Sequence, residues 1–266
     1  MVFDSFENNF QSESGSVFIL ASGPSAANFP LQEFPSIPVM AMNGSILKCE
    51  ADAVQPSFYL CDDPRFIESR FWLAEKGVRQ AKSTAMTADC YDRLLSTAPA
   101  CLKNKHLFLM SRVNRYNRRA IVSDKRFAWS IRNDPHLHSY FSVFHAKPNR
   151  VGFSTNMAKG YFGSRTIPIA ALQLACHLGF NKVFLLGVDL NQSSGRFYEQ
   201  GDEALPSTLD KDYEEYILPS FRFMAEKIVS RGEFEVFNLS NSSRLPSSVV
   251  PPMCLADLRA CIQEPD

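Results

Sequence analysis

The sequence predicts an α/β fold, a Rossmann-like three-layer sandwich with a mostly parallel central sheet. Three short apolar runs support this prediction, and each of them stops at a small or polar cluster: residues 17–21, 39–42 and 57–61. Helical connections fit between the runs, so the βαβ rule makes the strands parallel and places their polar ends along one edge of the sheet. Ligands of open parallel sheets bind at that edge.

Three later segments are predicted to extend the same sheet: residues 106–110, 182–187 and 233–238. A helix is predicted between Thr166, which can cap its amino end, and Gly179, which can end it. This helix is apolar nearly all round, so we expect it to lie buried with its amino end at the ligand edge. The prediction is a single domain, residues 1–266, with an inserted lid region at residues 102–160.

Composition and charge exclude several classes of protein. Lys and Arg total 28 and Asp and Glu total 28, so no net field attracts the chain to nucleic acid. The seven cysteines form no CxxC pair, which favours reduced thiols in the cytoplasm over disulfides or a zinc site. The amino-terminal segment is acidic and polar, and no stretch of about 18 apolar residues follows, so neither a signal peptide nor a membrane span is expected.

The turn after the first strand is the most informative short motif. Gly23 allows a ligand to approach the backbone closely, while Ser22 and Ser25 offer hydroxyls and N–H groups that suit a phosphate. The alternative is a strand-to-helix turn that needs Gly and Pro for its geometry alone.

After the third strand, Asp62 and Asp63 resemble a metal-binding carboxylate pair, but adjacent acids before a proline are more often turn formers.

Polar residues also flank the buried helix and the strand that follows it. Just upstream of the helix, Ser164 and Arg165 join exposed N–H groups in a natural phosphate or carboxylate site. After the strand, Asp189 either holds a ribose hydroxyl or orders the neighbouring loops, and Asn191 follows it closely. His177 lies inside the apolar helix, where a core histidine is favoured over a catalyst.

The predicted lid region becomes basic and aromatic after the fourth strand. Three aromatic residues, Tyr116, Phe127 and Trp129, are interleaved with seven basic ones: Arg112, Arg115, Arg118, Arg119, Lys125, Arg126 and Arg132. This pattern suits phosphorylated lipid headgroups or a charged sugar acceptor. The alternative is a loop-rich insertion kept soluble by its charges. Single-stranded nucleic acid also suits such a surface, but the neutral total charge argues against it.

The ordered set FILASGPS, AMNGS and RTIPIAALQLACHLGFNKVFLLGVDLN resembles the WaaZ-type proteins of lipopolysaccharide core biosynthesis. The same skeleton is similar to bacterial sialyltransferases that use CMP-sialic acid. The resemblance implies a glycosyltransferase that moves Kdo (3-deoxy-D-manno-octulosonic acid), or a related 2-keto sugar acid, from a CMP donor onto the lipopolysaccharide inner core. Because a CMP-sugar has one phosphate and a good leaving group, the resemblance also implies that no metal and no cofactor is needed.

The resemblance further assigns roles to individual residues. Donor binding is implied for residues at the strand ends and at the amino end of the buried helix: Ser22, Gly23, Ser25, Asn43, Asp62, Asp63, Ser164, Arg165, Thr166, Asp189 and Asn191. Acceptor binding is predicted for three arginines of the basic segment: Arg115, Arg118 and Arg119. The implied partners are a CMP-activated sugar acid and a lipid A-core oligosaccharide, with peripheral contact to the cytoplasmic face of the inner membrane.

One departure from that pattern concerns the general base. The similar sialyltransferases use a histidine before the last helix, but this chain has no histidine after His177. Asp210 or Asp212 is therefore predicted to take the acceptor proton, the alternative being a solvated helix start. Two other functions stay open at this point. One is a pterin pyrophosphokinase-like diphosphotransferase, and the other is a noncatalytic factor that binds CMP-sugar or lipopolysaccharide.

Overall fold

The computed structural model describes residues 3–116, 119–199 and 209–263. Within these ranges the strands are, in chain order, β1 (Ser16–Leu20), β2 (Val39–Met42), β3 (Phe58–Cys61), β4 (Ser83–Met86), β5 (His106–Leu109), β6 (Arg115–Tyr116), β7 (Arg119–Ala120), β8 (Leu137–Ser139), β9 (Gly152–Ser154), β10 (Lys182–Leu186) and β11 (Glu235–Asn238). Seven of them form one sheet with parallel neighbours throughout, in the order β11, β10, β1, β2, β3, β4, β5. The predicted α/β fold with a parallel sheet is confirmed.

Helices cover both faces of this sheet. They are α1 (Ile46–Ala51), α2 (Pro64–Gln80), α3 (Ala88–Thr97), α4 (Asp124–Ser130), α5 (Ile167–Leu178), α6 (Leu209–Asp212), α7 (Leu218–Lys227) and α8 (Leu255–Gln263). The helices α5 and α7 pack on one face, whereas α1, α2, α3 and α8 pack on the other. Across the described ranges, no helix combines the length and the apolar surface that a membrane-spanning segment needs.

The first strand shows why the sheet is buried on both sides. Val17 and Ile19 face the layer of α5 and α7, and Phe18 and Leu20 face the opposite layer, because side chains alternate along a strand. All four side chains are fully buried. The strand is therefore a continuous apolar run, as is typical of parallel strands that are covered on both faces.

Two parts of the sheet differ from the sequence prediction. None of the predicted strands covers residues 83–86, yet β4 lies there and pairs with β3 and β5. Its sequence, STAM, is short and carries two hydroxyl side chains, so it lacks the apolar run that marks the other strands. The predicted inserted region, residues 102–160, also overlaps β5, which is an edge strand of the sheet, so the chain leaves the sheet only after Met110.

The insertion leaves and rejoins the sheet through paired stems. The Val113 amide donates to the Tyr161 carbonyl oxygen at 3.0 Å. Close by, Gln173 of α5 accepts hydrogen bonds from the amides of Ser154 and Phe162, both at 2.9 Å. A fully buried polar side chain in the middle of the apolar helix thus ties the insertion to the core. Its predicted action as a lid stays a prediction.

His177 is a buried, hydrogen-bonded core residue of α5, as the sequence pattern favours. Its Nδ1 accepts the Met157 amide at 3.1 Å, and its Nε2 donates to the Phe6 carbonyl oxygen at 2.9 Å. Both ring nitrogens are used by the backbone, so the ring is neutral and anchors the amino-terminal segment to the helix. Burial lowers the pKa of His177 to about 4, because the charged imidazolium is poorly solvated there.

This histidine is expected to make the protein less stable in acid. As the pH falls from about 6.5 to about 4, the unfolded chain binds a proton at His177 that the folded chain excludes. The contribution of the neutral His177 to the free energy of unfolding is complete above about pH 6.5. Roughly 2–3 kcal/mol of it is lost as the pH falls through this window. Urea unfolding across the window should show a shallower pH dependence for His177→Gln than for the unchanged protein. Parallel pH profiles for the two proteins would contradict the assignment.

Candidate active site

The strand order reverses between β1 and β10, and the crevice at this reversal is the centre of the candidate site. From β1 the chain runs outward through β2, β3, β4 and β5 on one side, whereas β10 and β11 lie on the other. In open α/β sheets, ligands bind at the carboxyl ends of the strands at such a reversal. The turn that contains Gly23 follows β1, and Asp189 follows β10, so both lie at this point.

Asp189 holds the turn after β1 from the opposite side of the crevice. Its buried carboxylate accepts hydrogen bonds from the Ser25 amide, at 2.9 Å, and from the Ser25 hydroxyl. A Cβ on Gly23 would lie 2.5 Å from the Gly187 carbonyl oxygen and 2.6 Å from Asp189 Oδ2. Gly23 is therefore required by this close approach, and Asp189 orders the loops, which is one of the two sequence interpretations. Donor binding by Ser25 and Asp189 stays a prediction.

The segment after β10 covers the neighbouring strand ends. The Phe197 amide donates to the Ser22 carbonyl oxygen at 3.0 Å. The Tyr198 ring lies so close to Gly44, just after β2, that a side chain there would collide with it. At the start of this segment, the Asn191 side chain accepts two hydrogen bonds from the serine two positions later, at 2.8 and 3.2 Å. These contacts shape the loops, and donor binding by Ser22 and Asn191 stays a prediction.

Two buried oxygens at the carboxyl ends of strands have no hydrogen-bond partner among the described residues. They are Asn43 Oδ1, after β2, and Thr87 Oγ1, after β4. Asn43 also has a φ of +49°, a left-handed conformation that is uncommon outside glycine. Because buried polar atoms are nearly always paired, both oxygens are available to a ligand. The sequence prediction includes Asn43 and misses Thr87, because it does not contain β4, the strand that Thr87 follows.

Between these two positions, Asp62 follows β3 and forms a polar cluster with Arg112 and Tyr161. Asp62 Oδ2 accepts from the Arg112 guanidinium at 3.3 Å and from the Tyr161 hydroxyl at 3.1 Å. Burial raises the pKa of Asp62, and the positive charge of Arg112 opposes that shift. Asp63 instead caps α2 by accepting from the Arg65 amide at 3.0 Å. Asp63 therefore acts as the turn former that the sequence pattern favours.

The amino end of α5 presents N–H groups and a cation to the same edge, because α5 leads into β10 and runs antiparallel to it. Thr166 occupies the N-cap position, but its side chain makes no capping hydrogen bond. Ser164 is buried, and its hydroxyl donates to the Thr166 carbonyl oxygen at 3.2 Å. Arg165 is exposed, has a φ of +63°, and has no carboxylate partner in the described part of the chain. Its guanidinium carbon lies 5.4 Å from the centre of the Tyr216 ring.

Asp210 and Asp212 lie in α6, at the start of a helical segment that continues through a π-helical turn, Tyr213–Ile217, into α7. Asp210 is 59% exposed and forms an ion pair with Arg244. The Arg244 amide in turn donates to the Asp189 carbonyl oxygen at 2.9 Å. These contacts connect Asp210 to the crevice, and π-helical turns occur frequently at functional sites.

The predicted acceptor arginines have different environments. Arg115 pairs with Asp124 at 2.7 Å, and the same carboxylate binds Arg150 at 2.6 Å. Although burial alone would raise the pKa of Asp124, the two guanidinium groups lower it, so these ion pairs persist at neutral pH. Arg115 is thus part of a structural cluster. Arg119 lies exposed in β7, and Arg118 lies outside the described residues, so acceptor binding stays a prediction.

Sequence reasoning missed Tyr161 and Arg244 because their contacts depend on the tertiary fold. Tyr161 is 99 positions from Asp62, and Arg244 is 34 positions from Asp210. The local signals are weak but present. Tyr161 lies three positions before Ser164 of the predicted anion-binding segment, and Arg244 is the one basic residue in a Ser- and Asn-rich stretch, residues 238–248, that follows the last strand.

An open parallel sheet with a glycine turn, buried polar groups and a cationic helix terminus at its reversal point is typical of α/β enzymes that bind nucleotides. The chain belongs to the 3-deoxy-D-manno-octulosonic acid transferase WaaZ family, whose family model matches residues 6–256. It is therefore a glycosyltransferase, and it acts in lipopolysaccharide core biosynthesis. The predicted family and the predicted enzyme class are confirmed.

Two curated relatives are similar in sequence to this chain along most of its length. One, from Escherichia coli (strain K12), is 29% identical over 248 residues, which is 93% of this chain and 85% of the relative. The other, from Salmonella typhimurium (strain LT2), is 28% identical over 241 residues, which is 90% of this chain and 87% of the relative. Each is described as a probable 3-deoxy-manno-octulosonic acid transferase.

Solved glycosyltransferase structures are also similar to this chain. The sialyltransferase CstII from Campylobacter jejuni, in complex with a substrate analogue, cytidine-5'-monophosphate, is 12% identical, with a TM-score of 0.48 over 89% of this chain and 84% of that chain. The MAf glycosyltransferase from Magnetospirillum magneticum AMB-1 is 12% identical, with a TM-score of 0.48 over 92% of this chain and 34% of that chain.

Proposed function

We propose that this glycosyltransferase moves Kdo, or a related 2-keto sugar acid, from a CMP donor to the inner core of lipopolysaccharide. Family membership supports the sugar, because the curated relatives are described as probable transferases of the same sugar. The CMP carrier and the inner-core acceptor go beyond those descriptions. Their support comes from the chemistry of the carboxyl edge of the sheet.

The observation that carries the proposal is Arg165 beside the uncapped amino end of α5. A 2-keto sugar acid linked to CMP brings two anionic groups close together, the carboxylate of the sugar and the phosphate. Arg165 has no competing carboxylate in the described ranges, so its guanidinium is available to bind one of them through paired hydrogen bonds. The first amides of α5 suit the other, because a helix amino end favours an anion.

The strand ends supply neutral groups for the rest of the donor. The side-chain amide of Asn43 and the hydroxyl of Thr87 both have hydrogen-bonding capacity that the described residues leave unused. Asp62 lies between them and is fixed by Arg112 and Tyr161, so it presents a constant geometry to a sugar hydroxyl. We assign this row of strand ends to the sugar and the crevice next to Gly23 to the nucleotide.

In the reaction, the acceptor hydroxyl oxygen bonds to C2 of the sugar while the bond from C2 to the phosphate oxygen breaks. CMP leaves with the electron pair of that bond, and positive charge develops on the sugar ring. Arg165 and the α5 amides stabilise the charge on the departing phosphate. Asp210 or Asp212 takes the proton of the acceptor hydroxyl.

We propose that no metal or other cofactor takes part. A guanidinium and helix amides can stabilise the single phosphate of CMP as it leaves. In the part of the chain that the structure describes, no three His, Cys, Asp or Glu side chains are grouped to hold a metal ion.

We also propose that the enzyme works in the cytoplasm, as the cysteine pattern of the sequence favours. Because the proposed acceptor is lipid-linked, the enzyme would be in peripheral contact with the inner membrane.

Calorimetric titration with CMP, UDP and ATP, first in EDTA and then with magnesium, tests the proposal. We expect selective CMP binding that does not depend on magnesium. Arg165→Ala should weaken it by about 10- to 100-fold, which corresponds to the loss of a charge-assisted hydrogen bond. Arg231→Ala, which changes an exposed arginine before β11 at the opposite edge of the sheet, should leave CMP binding unchanged.

Two other results would contradict the proposal. Tight ATP binding that requires magnesium would favour a diphosphotransferase. A folded protein that binds none of the three nucleotides would favour a noncatalytic role.

A further inference from the structure

The insertion carries a cluster of exposed apolar side chains, here called the aromatic platform: Trp129, Phe141, Val143 and Phe144. Phe144 is 91% exposed and Trp129 is 52% exposed. The rings of Trp129 and Phe141 lie 5.4 Å apart, centre to centre, beside a shallow groove of ≈ 310 Å³. Single exposed apolar residues are ordinary on a protein surface, but here two large rings in contact lie beside a groove, and two further exposed apolar residues follow Phe141 within three positions. Such a concentration of exposed apolar side chains indicates a contact surface.

Three cations form a rim around the aromatic platform. Arg132 stacks on Trp129, with its guanidinium carbon 4.1 Å from the ring centre. Lys125 Nζ donates to the Val143 carbonyl oxygen at 3.3 Å, and Arg126 follows Lys125 on α4. Among the described residues, no carboxylate pairs with any of these three cations. The nearest acids in sequence are already bound, Asp124 by two other arginines and Asp134 by Lys159.

The structure therefore separates the basic segment into two parts. Arg112 and Arg115 form ion pairs with Asp62 and Asp124, so their charges are largely neutralised. The rim cations are not neutralised, and they adjoin apolar side chains that project into solvent. The sequence pattern contains Trp129 and the rim, but it does not indicate that Phe141 and Phe144 join them, since these residues lie on another segment of the insertion.

We propose that the aromatic platform and its cationic rim dock onto the surface of an anionic phospholipid bilayer. Charge complementarity favours this occupant, because negatively charged lipid headgroups attract unpaired Lys and Arg. Tryptophan and phenylalanine side chains suit the boundary between headgroups and acyl chains. A patch of four apolar side chains is also much smaller than a stable protein–protein interface, which uses about 20–30 residues a side.

This docking would bring the candidate active site to the membrane. The insertion that carries the platform begins and ends beside Asp62, since Arg112 and Tyr161 in its two stems both contact that carboxylate. The benefit of docking rests on the proposed function, in which the acceptor is lipid-linked. The docking itself is independent of the nucleotide and can be measured without it.

Co-sedimentation with vesicles tests the proposal. The unchanged protein is expected to bind vesicles of phosphatidylcholine mixed with phosphatidylglycerol, and to bind phosphatidylcholine alone much more weakly. Trp129→Ala combined with Phe144→Ala should weaken binding by more than about 10-fold, because it removes the largest apolar anchors. Lys125→Glu combined with Arg126→Glu should remove the preference for phosphatidylglycerol. Trp72→Ala is the matched control, because Trp72 is 47% exposed on α2 and has no part in the platform.

Several outcomes would overturn the docking proposal. The first is that the unchanged protein binds no vesicles. The second is that Trp72→Ala loses as much vesicle binding as Trp129→Ala combined with Phe144→Ala. The third is that the protein self-associates in the absence of vesicles and Phe144→Ala abolishes this self-association. Circular dichroism verifies that each variant is folded. CMP titration of the same variants separates the two proposals, because the platform variants should keep CMP binding whether or not they bind vesicles.

Discussion

Asp210→Asn is expected to lower kcat by about 10²- to 10⁴-fold, the range that a positioned general base contributes. CMP affinity should stay unchanged, because the proposed donor contacts lie at the strand ends and at α5. Asp210 is the stronger of the two candidate bases, since its partner Arg244 is hydrogen-bonded to Asp189 at the crevice. The pair with Arg244 is exposed and contributes little to stability, so the variant should fold normally. Steady-state kinetics with saturating donor, together with CMP titration, measures both quantities.

Three comparison variants make this prediction specific. Glu214→Gln changes an exposed acid on the next turn of the same helical segment and should keep normal kcat. Arg244→Gln breaks the ion pair but leaves the Asp210 carboxylate, so it separates loss of the base from loss of the pair. If only Asp212→Asn lowers kcat strongly, Asp212 is the general base. Near-normal kcat in both aspartate variants would show that neither residue is the base.

Gly23→Ala is expected to weaken CMP binding by more than about 100-fold and to lower the free energy of unfolding by about 1–3 kcal/mol. The added Cβ would lie 2.5 Å from the Gly187 carbonyl oxygen and 2.6 Å from Asp189 Oδ2. The backbone oxygen belongs to the strand end and cannot move freely, so the turn must move away from it and the hydrogen bonds between Ser25 and Asp189 are disrupted. The turn that lies against the proposed nucleotide would then lose its shape.

Gly163→Ala is the matched control for Gly23→Ala. Its added Cβ would meet only the Arg112 side chain, at 3.4 Å, which is an ordinary contact distance. Gly163→Ala should therefore keep the free energy of unfolding of the unchanged protein. Calorimetry and urea unfolding test both variants. Full CMP affinity in a folded Gly23→Ala protein would show that the turn after β1 does not approach the nucleotide.

The sequence was sufficient to predict most of the sheet and its ligand edge. The strands β1, β2, β3, β5, β10 and β11 follow from apolar runs that end at polar clusters, because a buried parallel strand needs apolar residues on both faces. Gly179 ends α5 in a left-handed conformation, as predicted. The strand β4 was missed because two of its four residues carry hydroxyl groups, so it lacks the apolar run that marks the other strands.

The candidate site was predictable as a set of strand ends but not as a set of contacts. Asn43 and Arg165 keep unused hydrogen-bonding groups, whereas Asp63 and Asp189 use theirs to hold turns. A sequence cannot distinguish these cases, because both place a polar residue next to the end of an apolar strand or helix. Likewise, Arg115 looked like an acceptor ligand until Asp124 was seen to pair with it.

The most direct test of the central claim is the transfer reaction itself. Purified protein is incubated in EDTA with CMP-Kdo and a lipid-linked inner-core acceptor, and the products are analysed by mass spectrometry. The proposed function predicts an acceptor that gains one Kdo residue, with one CMP released for each transfer. CMP-Kdo that stays intact, or that is hydrolysed at the same rate without the acceptor, would contradict it.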